Sequence, residues 1–153
     1  MKPRLNPYKS APDGMKALGM LDAYVHNCGL DPTLIELVKT RASQINGCAY
    51  CIHMHTRDAR ARGETEERLY LLNAWRESPL YTERERSALA WTEAVTLVAQ
   101  THVPDSCYEE VRQHFSEEEV VKLTLLLAAI NAWNRIGISF RSIHPVKAAI
   151  AAE

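Results

Sequence analysis

The stretch DPTLIELVKTRASQINGCAYCIHMHTRDARARG, residues 31–63, decides the reading of this chain. Asp31-Pro32 supplies a helix N-cap followed by a proline at the first helical position, where its missing N–H leaves no bond unmade. Leu34, Leu37, Val38, Ala42 and Ile45 then fall at helical spacing on one face. Asn46-Gly47 breaks that helix, and the spacing predicts a second one from Cys48 to Arg62, ahead of Gly63. Arg57, Arg60 and Arg62 suit the negative end of that helix.

Working outward, the same signals recur. A helix is expected from about Met15 to Asn27, closed by Cys28-Gly29, where glycine can adopt the left-handed cap. Residues 1–14 hold three prolines and read as an extended arm. Thr82-Glu83-Arg84-Glu85 and Ser116-Glu117-Glu118-Glu119 are both capping boxes and mark two further helix starts. Pro104 opens a shorter helix carrying Cys107 and Val111 between them, and His144-Pro145 interrupts the tail before its alanine-rich end. Alternating β-branched runs are missing, so the fold class is all-α: a helical bundle in one domain, residues 1–153. The helix over 120–137 is apolar around much of its circumference, through Val120, Val121, Leu123, Leu125, Leu126, Leu127 and Ile130. Such a helix belongs at the centre of a fold or under another subunit.

Composition narrows the function. With 46% hydrophobic and 24% charged residues the chain is globular rather than disordered. Lys plus Arg number 18 against 19 for Asp plus Glu, so the basic footprint of a nucleic-acid binder is missing. The first residues carry no apolar run of a signal peptide, and Leu123 to Ile130 falls far short of the ~20 residues that span a membrane. The expected location is the cytoplasm, where cysteines serve as reactive or metal-binding thiols rather than a disulfide framework.

Chemistry concentrates in residues 46–55. Cys48 and Cys51, three apart at a helix start, can reach each other, so a reversible disulfide is sterically reasonable. Unpaired N–H groups at that helix end favour a thiolate, the form that attacks peroxides and disulfides. At about 100° per residue Cys48, Cys51, Ile52, His55 and Ala59 share one stripe. His55, four residues after Cys51, can accept or relay a thiol proton. A zinc-binding structural or redox-sensing module using Cys48, Cys51 and His55 is the alternative, needing Cys28, Cys107, His102 or His114 as a distant fourth ligand. A third reading makes the cysteines and His55 ordinary core residues.

Glu36 twelve residues before Cys48, then Cys48-x-x-Cys51, then His55 four after the second cysteine form a pattern that resembles the alkylhydroperoxidase D-like proteins of the carboxymuconolactone decarboxylase superfamily. The resemblance is strongest over residues 34–76 and its helical order extends over about 20–145. It implies an all-helical fold assembled as trimers or hexamers, and a thiol-dependent peroxidase or disulfide reductase without metal or organic cofactor. It implies that Cys51 attacks the hydroperoxide, Cys48 resolves the resulting sulfenic acid as a disulfide, and His55 with Glu36 carries the proton through water. The implied partners are a hydroperoxide substrate and a thioredoxin-like, lipoyl-bearing or peroxiredoxin redox partner. The decarboxylase branch generally lacks the CxxC, which disfavours decarboxylation. One departure stands out: Tyr50 occupies a position that is often histidine in the family.

The helix pattern alone puts Glu36 roughly opposite the Leu34/Val38/Ile45 stripe, as an exposed carboxylate. The hairpin argues otherwise. Glu36 lies ten residues before Asn46 and His55 eight after Gly47, nearly level at about 1.5 Å per residue. His53, about 160° from His55 around the helix, is expected at the surface. Cys28 and Cys107 read as buried or incidental, and Trp75, Trp91 and Trp133 as packing aromatics. Asn131, Asn134 and Arg135 interrupt the apolar helix and are expected to bond across a subunit interface or cap its far end.

Overall fold

The computed structural model describes residues 2–145. Among these the regular structure is helical: α1 (Pro7–Ser10), α2 (Pro12–His26), α3 (Pro32–Asn46), α4 (Ala49–Ala61), α5 (Glu66–Leu71), a 3-10 turn (Leu72–Ala74), α6 (Glu83–Thr96), α7 (Val98–Thr101), α8 (Asp105–His114) and α9 (Glu117–Phe140). The alanine-rich end of the tail lies outside the described residues.

The N-terminal arm is not extended throughout. Its prolines start helices: Pro7 follows Asn6, whose side chain accepts from the Tyr8 N–H, and Pro12 opens α2 three residues earlier than expected. Arg4 ties the first residues to the end of α9, its backbone N–H donating to the Phe140 carbonyl at 3.1 Å. Gly29, predicted as the cap of α2, does take positive φ (92°), two residues beyond the Asn27 C-cap. Both capping boxes form as the sequence predicts. Helix α5, with the Thr65 side chain accepting from the Arg68 N–H, has no counterpart in the sequence reading; six residues give too little apolar period to register.

Helix α3 sits in the middle and packs on α4, α6 and α9. Every residue from Leu34 to Thr40 is buried, so this helix has no solvent face in that stretch. One apolar cluster joins α2, α3 and α9 through Val25, Ile35, Val38, Leu123, Leu127 and Ile130. A second, around Leu37, Ala59, Leu72, Trp75 and Leu89, fixes the other side of α3 against α4 and α6. Trp75 and Trp91 are packing residues, with indole N–H groups donating to Glu93 (2.9 Å) and Thr124 (3.1 Å).

At 24 residues α9 is long and apolar enough to cross a membrane by length and composition, a longer element than the Leu123–Ile130 run suggests. Its apolar residues are divided. Leu123, Leu126, Leu127, Ala129 and Ile130 are core, whereas Val121 and Ile138 remain exposed in the isolated chain, as do Met20 and Tyr24 one turn apart on α2.

Burial of α3 also encloses Lys39, which is 1% exposed. Its ammonium donates to Asp22 Oδ1 at 2.8 Å and lies 3.1 Å from His26 Nε2, both on α2. Removing one partner of such a pair strands a charge. Asp22→Ala is therefore expected to cost about 3 kcal/mol of stability, at the low end for buried pairs because Asp22 is part exposed. Lys39→Met, which leaves no buried charge, should cost less. Urea unfolding of the two variants checks the order.

Candidate functional site

Gly47 ends α3 in the left-handed conformation (φ 70°), and the chain turns directly into α4. Cys48 is the N-cap of α4, in extended geometry, and its N–H donates to the Ser43 carbonyl at 3.0 Å. This turn lays α4 along α3 and faces the stripe Cys48, Cys51, His55 and Ala59 inward, all four at most 4% exposed. The fold buries four of the five residues of the stripe read from the sequence; Ile52 is half-buried.

The structure brings the four residues singled out together in two pairs, Cys48 with Cys51 and Glu36 with His55. Cys48 and Cys51 are both free thiols, with sulfurs 3.0 Å apart and the Cys48 S–H donating to Cys51. Nδ1 of His55 lies 2.8 Å from Glu36 Oε2, a pairing in which the imidazole N–H donates to the carboxylate and Nε2 is left as the working nitrogen. Glu36 is 2% exposed, not a surface carboxylate, because α3 is enclosed on all sides here. The guanidinium of Arg62 approaches Glu36 Oε1 to 3.9 Å from a half-exposed position. Arg62, His26, Ile35 and Glu36 line an open cavity of about 180 Å³ behind the carboxylate.

The proton shared by the two sulfurs is unevenly placed. The Cys48 thiol is lowered from 9.0 to about 6, chiefly by its bond with the Cys51 side chain and further by the Cys51 N–H, the Asn134 side chain and the Tyr50 N–H, against the opposing effect of burial. Cys51 is pushed far upward, first by its bond to Cys48, then by burial and by the charge on Cys48. The anionic reduced pair therefore holds one proton between its two sulfurs, with the charge drawn toward Cys48 at the positive end of α4.

This has a consequence for stability. An anion favoured in the native state stabilises it above its native pKa, and the effect is lost as pH falls through about 6. Between there and the ordinary thiol value the unfolded chain binds more protons, so stability rises with pH. Reduced protein is expected to gain melting temperature relative to Cys48→Ser from about pH 5 to about pH 8. Oxidation to the disulfide should remove the difference.

The remaining predictions divide. Cys28 and Cys107 are half-buried and pack against the core. His53 is half-buried rather than at the surface, its ring stacked on that of His144 with centroids 4.7 Å apart. Asn131 and Asn134 bond within the chain, their oxygens accepting from the Asn46 amide at 2.9 and 2.8 Å at the end of α3, and Arg135 donates back to the Asn131 carbonyl at 2.9 Å. The sequence reading did not place Asn134, Ser43 or Gly137 at the thiols; two polar residues three apart on an apolar helix face were the available signal.

For a metal, the ligand atoms of Glu36, His55 and Asp58 lie within 4.8 Å of one another, although Asp58 is tied to Arg57 at 2.7 Å. Among the described residues Cys48 and Cys51 belong to no such group of three.

Residues 11–94 match the model of the carboxymuconolactone decarboxylase family, and the chain belongs to that family. Its sequence is 46% identical over 139 residues to the uncharacterized protein YdfG of Bacillus subtilis, covering 91% of this chain and 95% of YdfG. Among solved structures it is similar to ATU0492 of Agrobacterium tumefaciens, a protein of unknown function proposed to be the antioxidant defence protein AhpD. That match has TM-score 0.93 and 49% identity, covering 95% of this chain and all of the other. The fold is also that of the debrominase Bmp8, with TM-score 0.81 at 22% identity over 90% of this chain and 74% of Bmp8.

Proposed function

We propose that the protein is a thiol peroxidase of the alkylhydroperoxidase D type that reduces organic hydroperoxides through Cys51 and Cys48. The observation carrying this reading is the buried contact of two reduced thiols at 3.0 Å on the face of α4 that also carries His55, which Glu36 of α3 pairs at 2.8 Å.

The reaction runs in three balanced steps. The two sulfurs hold one proton between them, and with that proton on Cys48, donated to Cys51 as in the 3.0 Å bond, Cys51 is the thiolate nucleophile. The Cys51 thiolate attacks the outer oxygen of R–O–OH; the O–O bond breaks, the sulfur becomes a sulfenic acid, and the departing alkoxide takes a proton from His55, through water, to leave as alcohol. The Cys48 thiol then attacks that sulfenic sulfur, forming the disulfide and releasing water, which contains the Cys48 proton. Closing from 3.0 Å to a disulfide bond of about 2 Å needs only a small side-chain movement. A dithiol of the thioredoxin-like or lipoyl class returns two electrons and two protons, and a peroxiredoxin is the other redox partner of this reading. His55 is reprotonated by way of Glu36 and the solvent-open cavity beside Arg62.

Because Cys51 is 3% exposed, the reaction requires the α4–α9 seam to loosen, and small hydroperoxides are expected to react faster than bulky ones. Association into a trimer or hexamer, covering the exposed apolar residues of α2 and α9, belongs to the same reading, as does a cytoplasmic location. The test is consumption of an alkyl hydroperoxide by catalytic protein with excess dihydrolipoamide. Many turnovers per chain support the reading, and no consumption above the protein-free rate overturns it.

A further inference from the structure

The turn of α9 that carries Asn134 and Gly137 lies directly on the CxxC. A Cβ added at Gly137 would stand 3.2 Å from Cys48 Sγ, so the absence of a side chain there is what lets the α9 backbone approach the sulfur. Asn134, one turn earlier on the same face, is fully buried. Its amide orientation is fixed from two sides. Oδ1 accepts from Asn46 Nδ2 at 2.8 Å, and Nδ2 donates to Ser43 Oγ at 3.0 Å. Ser43 is itself the residue whose carbonyl receives the Cys48 N–H.

Proton accounting completes the picture. The Asn134 amide has two hydrogens, and the bond to Ser43 uses one. The other makes no further hydrogen bond among the described residues, and the same turn of α9 lies against Cys48 Sγ at Gly137. Asn131, the other polar interruption of α9, differs: its amide donates to the Leu127 carbonyl at 2.9 Å and to Thr96 at 3.3 Å.

Resting on the peroxidase reading, we propose that Asn134 donates its second amide hydrogen to the Cys48–Cys51 sulfur pair and holds the negative charge of the reduced site, a thiolate-stabilising role supplied from α9 rather than from the motif itself. Consistent with this, the Asn134 side chain favours the anionic form of both cysteines. Since the donor serves either sulfur, it keeps its bond while the proton moves between them, and so supports the transfer that precedes attack.

The test is the thiolate titration of the full reduced chain, followed by ultraviolet thiolate absorbance, in wild type, Asn134→Ala, Asn134→Asp and Asn131→Ala. Loss of the donor in Asn134→Ala is expected to raise the first midpoint by about one pH unit, a tenfold loss of thiolate at a fixed lower pH. Asn134→Asp, equal in size but without the amide hydrogens, should raise it at least as far and decides the matter if the alanine variant does not fold. Asn131→Ala, which lowers melting temperature through the same amide network, should leave the midpoint within a few tenths. An unchanged midpoint in a folded Asn134 variant overturns the proposal, whatever its melting temperature. Wild-type protein that shows the Asn134-dependent midpoint yet consumes no hydroperoxide overturns the peroxidase reading and leaves this assignment standing; consumption with an unmoved midpoint does the reverse.

Discussion

Cys51→Ser is expected to lose hydroperoxide turnover by at least about a thousandfold, and to form no sulfenic acid at Cys48 under a single equivalent of oxidant. A serine hydroxyl at position 51 still donates to the Cys48 thiolate, so the fold and the resting charge survive while the proposed nucleophile is gone. Cys48→Ser should fail at a later point. Its Cys51 reacts and stops as a sulfenic acid that a dimedone probe traps. The pair of variants separates the two cysteines in a way that the charge drawn toward Cys48 does not. If Cys48 were the attacking sulfur, as its low pKa alone suggests, the trapped sulfenic acid would appear at Cys48 in Cys51→Ser. Stopped-flow hydroperoxide consumption with mass mapping of the trapped residue distinguishes these outcomes.

His55→Ala is expected to reduce turnover by about a hundredfold or more, the usual contribution of a positioned acid–base group. The effect should fall on the peroxide step and not on thiolate formation, because neither His55 nor Glu36 is among the groups that set the Cys48 thiol. The variant should therefore keep the titration midpoint near 6 while losing rate. Glu36→Gln retains an oxygen that can accept the Nδ1 hydrogen and should cost about tenfold, through loss of the charge that supports a protonated imidazole. Steady-state rates of the two variants against pH check the order. Equal losses, with a shifted thiol midpoint, would mean that the pair only shapes the pocket.

Much of this arrangement was legible in residues 31–63. Capping signals at Asp31-Pro32 and the turn at Asn46-Gly47 are local chemistry, and both elements form with those ends. The inward stripe of α4 follows from helical period alone. Equal spacing from the turn placed Glu36 level with His55, and the two meet at 2.8 Å. The rotation of α3 was not legible, since a helix buried on every side has no polar face to give it away; hence Glu36 alone read as exposed and Lys39 drew no notice. The contribution of α9 was hidden for another reason. Asn134 is separated from Cys48 by most of the chain, and nothing in a polar interruption of an apolar helix says which neighbour receives it. The arm over residues 1–14 was misread because prolines that disfavour helix interiors also start helices, at Pro7 and Pro12.

The most direct test of the central claim is peptide mass mapping of fully reduced protein, quenched after brief exposure to one equivalent of an alkyl hydroperoxide. The account predicts a Cys48–Cys51 disulfide and one equivalent of alcohol, with Cys28 and Cys107 unchanged. Reduced Cys48 and Cys51 beside oxidised Cys28 or Cys107 would contradict it.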